Sequence, residues 1–191
     1  MSVAYEEKAN AGLVKLGLSV AHAQLDQVAQ QAAASGWSYT HFLGYLLDGE
    51  LAQRHANTVR LSLQFAKLPY LKRVEDFDFT AQPSVDRRLI EELATLRFIE
   101  EGRNVVFLGP PGTGKTHLAT ALGVKVAEAG HRIYFTSAID LSRRMARGMA
   151  ENKLSREINN LVRPKLLIID EVGYLTLEPL QASLFFQAIS E

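Results

Sequence analysis

The 191-residue chain contains no cysteine and carries no net formal charge at neutral pH. The first absence excludes disulfide staples and thiolate metal centres, and it suits a reducing compartment. The second removes any overall electrostatic pull toward nucleic acid, so a nucleic-acid partner would have to be met by a local patch. No apolar run approaches the ~20 residues that span a bilayer. The start, Met1-Ser2-Val3-Ala4-Tyr5-Glu6-Glu7-Lys8, is charged and lacks the apolar centre of a signal peptide. These absences lead us to expect a cytoplasmic protein without membrane contact. What is present is ordinary: 47% hydrophobic and 22% charged residues, the balance of a folded globular chain. The length admits one medium domain or two small ones.

Against that background one stretch stands out, Gly109-Pro110-Pro111-Gly112-Thr113-Gly114-Lys115-Thr116. It satisfies G-x-x-x-x-G-K-[ST] at every fixed position. A strand-like run, Asn104-Val105-Val106-Phe107-Leu108, precedes it, and a helix-like run from Lys115 to Ala129 follows. This strand–loop–helix setting is what the pattern needs to act as a phosphate loop. Glycines let backbone N–H groups turn inward and approach a polyphosphate, and the following helix points its positive end at the same anion. Lys115 would reach the β- and γ-phosphates and the Thr116 hydroxyl would ligate Mg²⁺. The competing reading is a Gly/Pro turn without a ligand.

The second chemical signal is the run Lys165-Leu166-Leu167-Ile168-Ile169-Asp170-Glu171. Apolar residues running into two acids are costly in a purely structural strand, because a buried carboxylate needs a partner. In open α/β sheets ligands gather at the carboxyl ends of parallel strands. Asp170 would hold Mg²⁺ together with Thr116, and Glu171 would orient and polarise a water for attack on the γ-phosphate.

The organisation expected around these motifs is α/β: a P-loop parallel sheet flanked by helices, preceded by a small all-helical domain. Residues 1–67 read as the helical domain, 68–83 as a linker and 84–191 as the ATPase part. In the first segment, apolar residues recur at helical spacing through Leu13, Leu16 and Val20, then Leu25, Val28 and Ala32. Ser35-Gly36-Trp37-Ser38 breaks the pattern. Ser38 is then expected to cap a second helix bearing Phe42, Leu46 and Leu51, and a third helix is expected over residues 58–67 until Pro69. Such short amphipathic helices form either a bundle packed on itself or an adaptor for a protein or DNA partner. In the linker, Phe77 and Phe79 would pack against a bound adenine or simply anchor the segment. Ser84 is expected to cap a helix reaching about Glu101. Strands at 105–108, 131–137 and 165–170 alternate with helices at 115–129, 138–150 and 153–162, which is the pattern of a parallel sheet with right-handed crossovers.

Between the second and third strands the charge is locally basic. Arg143, Arg144 and Arg147 share about one turn of the 138–150 helix, and Lys153, Arg156, Arg163 and Lys165 follow. Contact with DNA phosphates, independent of sequence and sensitive to salt, is one reading. A solvated helix face, or pairing with a neighbouring subunit, is the other.

These residues carry a resemblance. Phe107-Leu108-Gly109-Pro110-Pro111-Gly112-Thr113-Gly114-Lys115-Thr116-His117-Leu118-Ala119 resembles the Walker A region of the IstB-like ATPases. These are AAA+ helpers encoded by insertion sequences and related to the DnaC helicase loader. Leu167-Ile168-Ile169-Asp170-Glu171-Val172-Gly173-Tyr174 is similar to that family's Walker B run, and Gly36-Trp37-Ser38-Tyr39 and Asp76-Phe77-Asp78-Phe79 also look like family landmarks. The resemblance covers nearly the whole chain. It implies an ATP- and Mg²⁺-dependent homo-oligomer that assembles on double-stranded DNA and works with a transposase, and it favours the DNA reading of Arg143, Arg144 and Arg147. A helicase loader and a non-catalytic binding module are the alternatives; a small-molecule P-loop kinase fits less well, since no acceptor site or lid is evident. The chain departs from the family in stopping at Glu191, within the helix after Walker B that would bury Leu180, Leu184, Phe185 and Ile189. Relatives continue through a fourth strand, placed between the first and third, and an arginine finger. The expectation is therefore a partial copy with weak turnover and low solubility on its own.

Overall fold

The computed structural model describes residues 2–174 and residue 183; the helix expected around Leu180–Ile189 lies outside them. Contacts divide the chain into two compact units, Met1–Thr58 and Val59–Glu191.

The first unit contains helix α1 (Ser2–Lys15), helix α2 (Ser19–Ser35) and most of helix α3 (Tyr39–Phe65). Its core is Ala21, Val28 and Leu46, with Leu13, Leu25, Trp37 and Phe42 packed around them. The apolar spacing foretold helices here but not where they stop. Leu13, Leu16 and Val20 do not share one helix, because a turn at Gly17 closes α1. The second and third helices expected from the sequence are a single α3, beginning just after Ser38, whose hydroxyl accepts from the His41 N–H (3.1 Å). Helix α2 has no capping side chain of its own at Leu18. Glu50 of α3 supplies one: its Oε2 accepts from the N–H groups of Val20 (2.9 Å) and Ala21 (3.4 Å). Glu50 is only 4% exposed, so this carboxylate is retained inside by the positive end of α2 and by Arg54 at 3.4 Å.

Among the described residues, the second unit is built on a two-stranded parallel sheet. Strand β1 (Ile133–Ser137) pairs with β2 (Leu166–Asp170), in register from Ile133 opposite Leu166 to Ser137 opposite Asp170. Between them run helices α7 (Ala138–Ala150) and α8 (Leu154–Val162); α4 (Arg87–Leu93), α5 (Arg97–Glu100) and α6 (Lys115–Glu128) precede β1. The Ser137 hydroxyl caps α7 by accepting from the Asp140 N–H (3.1 Å). One face of α7 and α8 buries Ala138, Leu141, Met145, Ile158 and Leu161. Each large apolar side chain so buried is worth about 1.5–3 kcal/mol. Helix α6 (Lys115–Glu128) lies against the sheet and crosses it at Gly123, where a Cβ would meet Ile168 Cδ1 at 2.8 Å and Ile133 Cδ1 at 3.5 Å. The free edge of β1 is covered by the end of α3: Phe135 N–H donates to the Ala66 carbonyl (2.7 Å).

Two expectations are corrected. Ser84 does not start a helix reaching Glu101. Asp86 is the cap, accepting from the N–H groups of Arg88 and Leu89, and helix α4 spans only Arg87–Leu93. Leu96, at φ 66°, separates α4 from the one-turn helix α5 (Arg97–Glu100). Nor do residues 104–108 form a strand among the described residues. A strand exists through its neighbour's hydrogen bonds, and no other described strand takes these; Val106 and Leu108 are 74% and 89% exposed.

Candidate nucleotide-binding site

The loop 109–114 enters α6 without a capping side chain, so the first N–H groups of the helix are left for a ligand. Gly112 and Gly114 hold positive φ angles of 80° and 83°, which side-chain-bearing residues adopt at a cost. The Thr113 hydroxyl donates to the Pro110 carbonyl (2.9 Å) and braces the turn from inside. Lys115 Nζ folds over the loop, donating to the carbonyls of Gly109 (2.9 Å) and Pro110 (2.7 Å).

Helix α6 then presents Thr116 to the sheet. Its hydroxyl donates to Asp170 Oδ2 at 2.9 Å, a contact between residues 54 positions apart. Asp170 is the last residue of β2, and its Oδ1 accepts from the Glu171 N–H (2.9 Å). Glu171 is exposed and sits at φ 60°, a conformation that concentrates at functional sites when a non-glycine residue adopts it. The phosphate-loop residues and the two acids expected from the sequence are thus brought to one place by α6 and β2.

This donor set fits a small hard cation. A hydroxyl and a carboxylate oxygen within hydrogen-bond distance are oxygen ligands of the kind Mg²⁺ takes while keeping waters and substrate phosphates. Among the described residues no group of three or more His, Asp or Glu gathers around a metal position, so at this site a cation would rely on Thr116, Asp170, waters and phosphate oxygens.

Behind the loop lies a feature that the motif pattern does not contain. Residues 73–79 run along α6 as a strap. The Arg73 carbonyl accepts from His117 Nε2 (3.2 Å), Arg73 pairs with Glu128 (3.0 Å), and Glu75 pairs with Lys125 (3.1 Å). A backbone N–H and then Lys125 hold the Glu75 carboxyl below its ordinary pKa range. Phe77 is buried with Val74, Ile90, Leu118 and Ala121. This burial is the anchoring that one of its two readings from the sequence expects. The signal was available in the paired aromatics of Phe77-Asp78-Phe79, whose rings meet edge-on at 4.9 Å.

The basic helix divides into two kinds of arginine. Arg144 turns inward: its Nε pairs with Glu157 of α8 and its Nη1 donates to the Tyr134 hydroxyl of β1 (3.0 Å). Arg143 stays 74% exposed, with only a 3.9 Å approach to Asp140, and Arg147 is exposed on the same side. The sequence gives no sign of this division, which depends on α8 folding back across α7.

A glycine-shaped loop ahead of a helix, a lysine over it and an acidic strand end beside it define an α/β protein with a P-loop, and a helical region precedes it in the chain. The family is equally plain. A family model described as IstB-like ATP binding protein matches residues 11–191, and the chain belongs to that family. A relative from insertion sequence IS5376 of Geobacillus stearothermophilus is 43% identical over 176 residues, covering 92% of this chain and 70% of the relative. One from insertion sequence IS21 of Pseudomonas aeruginosa is 43% identical over 166 residues, covering 87% and 63%. Both are named for ATP binding. The chain therefore spans between about six and seven tenths of these relatives' own length. Among solved structures, AMPPCP-bound DnaA from Aquifex aeolicus aligns at a TM-score of 0.57 with 22% identity, over 65% of this chain and 39% of DnaA, a likeness of fold.

Proposed function

We propose that this chain binds ATP with Mg²⁺ at the 109–116 loop and hydrolyses it as part of a DNA-transposition helper. The observation that carries the reading is the Thr116–Asp170 hydrogen bond, which joins the phosphate loop to the acidic strand end. The 109–116 loop cradles the triphosphate through the backbone N–H groups of its non-proline residues, and Lys115 exchanges its loop carbonyls for β- and γ-phosphate oxygens. Thr116 and Asp170 hold Mg²⁺, which neutralises charge on the phosphates when bound. Glu171 orients the attacking water and draws on its proton. The chemistry needs little else, because phosphoryl transfer is governed by position and charge.

Hydrolysis then serves an assembly of several copies on double-stranded DNA in partnership with a transposase. Support comes from the insertion-sequence origin of the relatives, which favours transposition over helicase loading. The DNA surface would use Arg143 and Arg147 as phosphate contacts, since Arg144 is engaged within the fold. The test is ATP binding and phosphate release with wild type and Glu171→Gln. The proposal expects equal binding and loss of the wild-type release. Release unchanged in the variant overturns the role of Glu171, and absence of ATP binding in the wild type overturns the reading as a whole.

A further inference from the structure

Phe77 occupies the space that a side chain at position 114 would need. A Cβ on Gly114 would overlap the Phe77 ring edge, with Phe77 Cζ the next atom at 3.1 Å. The ring is only 9% exposed and is itself held from three sides. Leu118 and Ala121 of α6 lie in its cluster, Phe79 meets it at 4.9 Å and His117 at 5.2 Å, with the His117 ring perpendicular. The strap that carries it is tied to both ends of α6 through Arg73 and Glu75. His117 lies in the first turn, and Lys125 and Glu128 lie in the last. These contacts, at positions 117, 118, 121, 125 and 128, follow one face of the helix.

From this we infer that Phe77 is a positioning residue for the phosphate loop. It acts through the Gly114 backbone and does not touch the nucleotide. Gly114 is the last residue of the loop, where the loop N–H groups pass into those of the α6 N-terminus. A loop residue without a side chain has many conformations to lose on binding. Packing a rigid ring against it removes those alternatives beforehand, so that the phosphates meet N–H groups already directed at them. Gly114 is then required twice: its positive φ excludes ordinary residues, and the ring leaves no room for a Cβ. By linkage, a phosphate that holds the loop must also favour the docked strap, by the same free energy that the docked strap contributes to binding.

The inference rests on the loop being the ATP site, and the experiment separates the two. Mg²⁺-ATP affinity is measured for wild type, Lys115→Ala, Phe77→Leu and Phe77→Ala. Amide exchange is followed in the ligand-free proteins at residues 112–116 and across β1 and β2. Binding by wild type that Lys115→Ala abolishes establishes the site. On that footing, Phe77→Ala is expected to weaken ATP about tenfold and Phe77→Leu severalfold less, as packing is partly kept. Exchange should quicken at 112–116 more than in the strands, and ATP should slow exchange at 73–79 in wild type only. Wild-type affinity in either folded Phe77 variant overturns the inference. So does a uniform rise in exchange over loop and strands, which is the mark of general destabilisation. If Phe77→Ala does not fold, Phe77→Leu decides alone by the same two readouts.

Discussion

Replacing Lys115 by alanine separates a nucleotide ligand from a structural lysine, because the magnitudes differ between the empty and the filled site. In the structure Lys115 Nζ makes two hydrogen bonds to exposed loop carbonyls, at 2.9 and 2.7 Å from Gly109 and Pro110. Water replaces such contacts readily, so their loss should cost the ligand-free protein about 1 kcal/mol or less. Between an ammonium and a phosphate both partners are ionised, and the bond is worth about 1.5–3 kcal/mol. Alanine should therefore raise the Kd for ATP by roughly 10- to 150-fold, taking a tenfold change as ~1.4 kcal/mol. At ATP set to ~100 times the wild-type Kd, wild type gains about 2.7 kcal/mol of stability. A variant weakened ~100-fold gains only about 0.4 kcal/mol at the same concentration. Thermal unfolding followed by dye fluorescence, with and without Mg²⁺-ATP, reads this directly. A second unit of this size should rise by roughly 10 °C in wild type and by about 1–2 °C in the variant, from nearly equal ligand-free midpoints. Equal ATP-induced shifts in the two proteins would refute the assignment. A ligand-free midpoint lowered by as much as the ATP shift would make Lys115 a structural residue.

Two further outcomes follow from the packing. Removing Arg143 and Arg147 together should lower the salt dependence of DNA binding by about two in log–log slope, at ~0.9 per phosphate contact. Arg144→Ala should instead lower the unfolding midpoint, because it strands Glu157 and the Tyr134 hydroxyl, while leaving that slope alone; filter binding across a salt series and thermal unfolding distinguish them. In the first unit, Glu50→Ala should destabilise by about 1–2 kcal/mol in urea unfolding, since α2 loses the side chain that caps it, whereas Glu50→Gln should keep most of that stability.

How much of this was legible beforehand depended on range. The elements of the second unit were readable because their signals are local. Ile133–Ser137 and Leu166–Asp170 are apolar runs of strand length, and a helix-length segment follows the first of them at α7. The chemistry of the loop and of Asp170-Glu171 was readable for the same reason. What escaped was set by distant partners. Leu96 enters a left-handed conformation where α4 must turn into α5, and no residue type there signals it. Glu50 looks like a surface acid until α2 places its open end above it. Arg144 is indistinguishable from Arg143 until α8 brings Glu157 across. The apolar run 104–108 met the pattern for a strand, yet a strand is a property of a pair, and among the described residues its partner is lacking.

The central claim is that the loop and the acidic strand end form one Mg²⁺-ATP site. It is tested most directly by measuring ATP affinity with Mg²⁺ and with EDTA in wild type and in Asp170→Asn, an exchange that keeps an oxygen for the Thr116 hydroxyl and removes the charge. The account predicts that Mg²⁺ tightens ATP binding in wild type, that this gain disappears in Asp170→Asn, and that the two proteins bind ATP comparably in EDTA. An equal gain from Mg²⁺ in both proteins would contradict it.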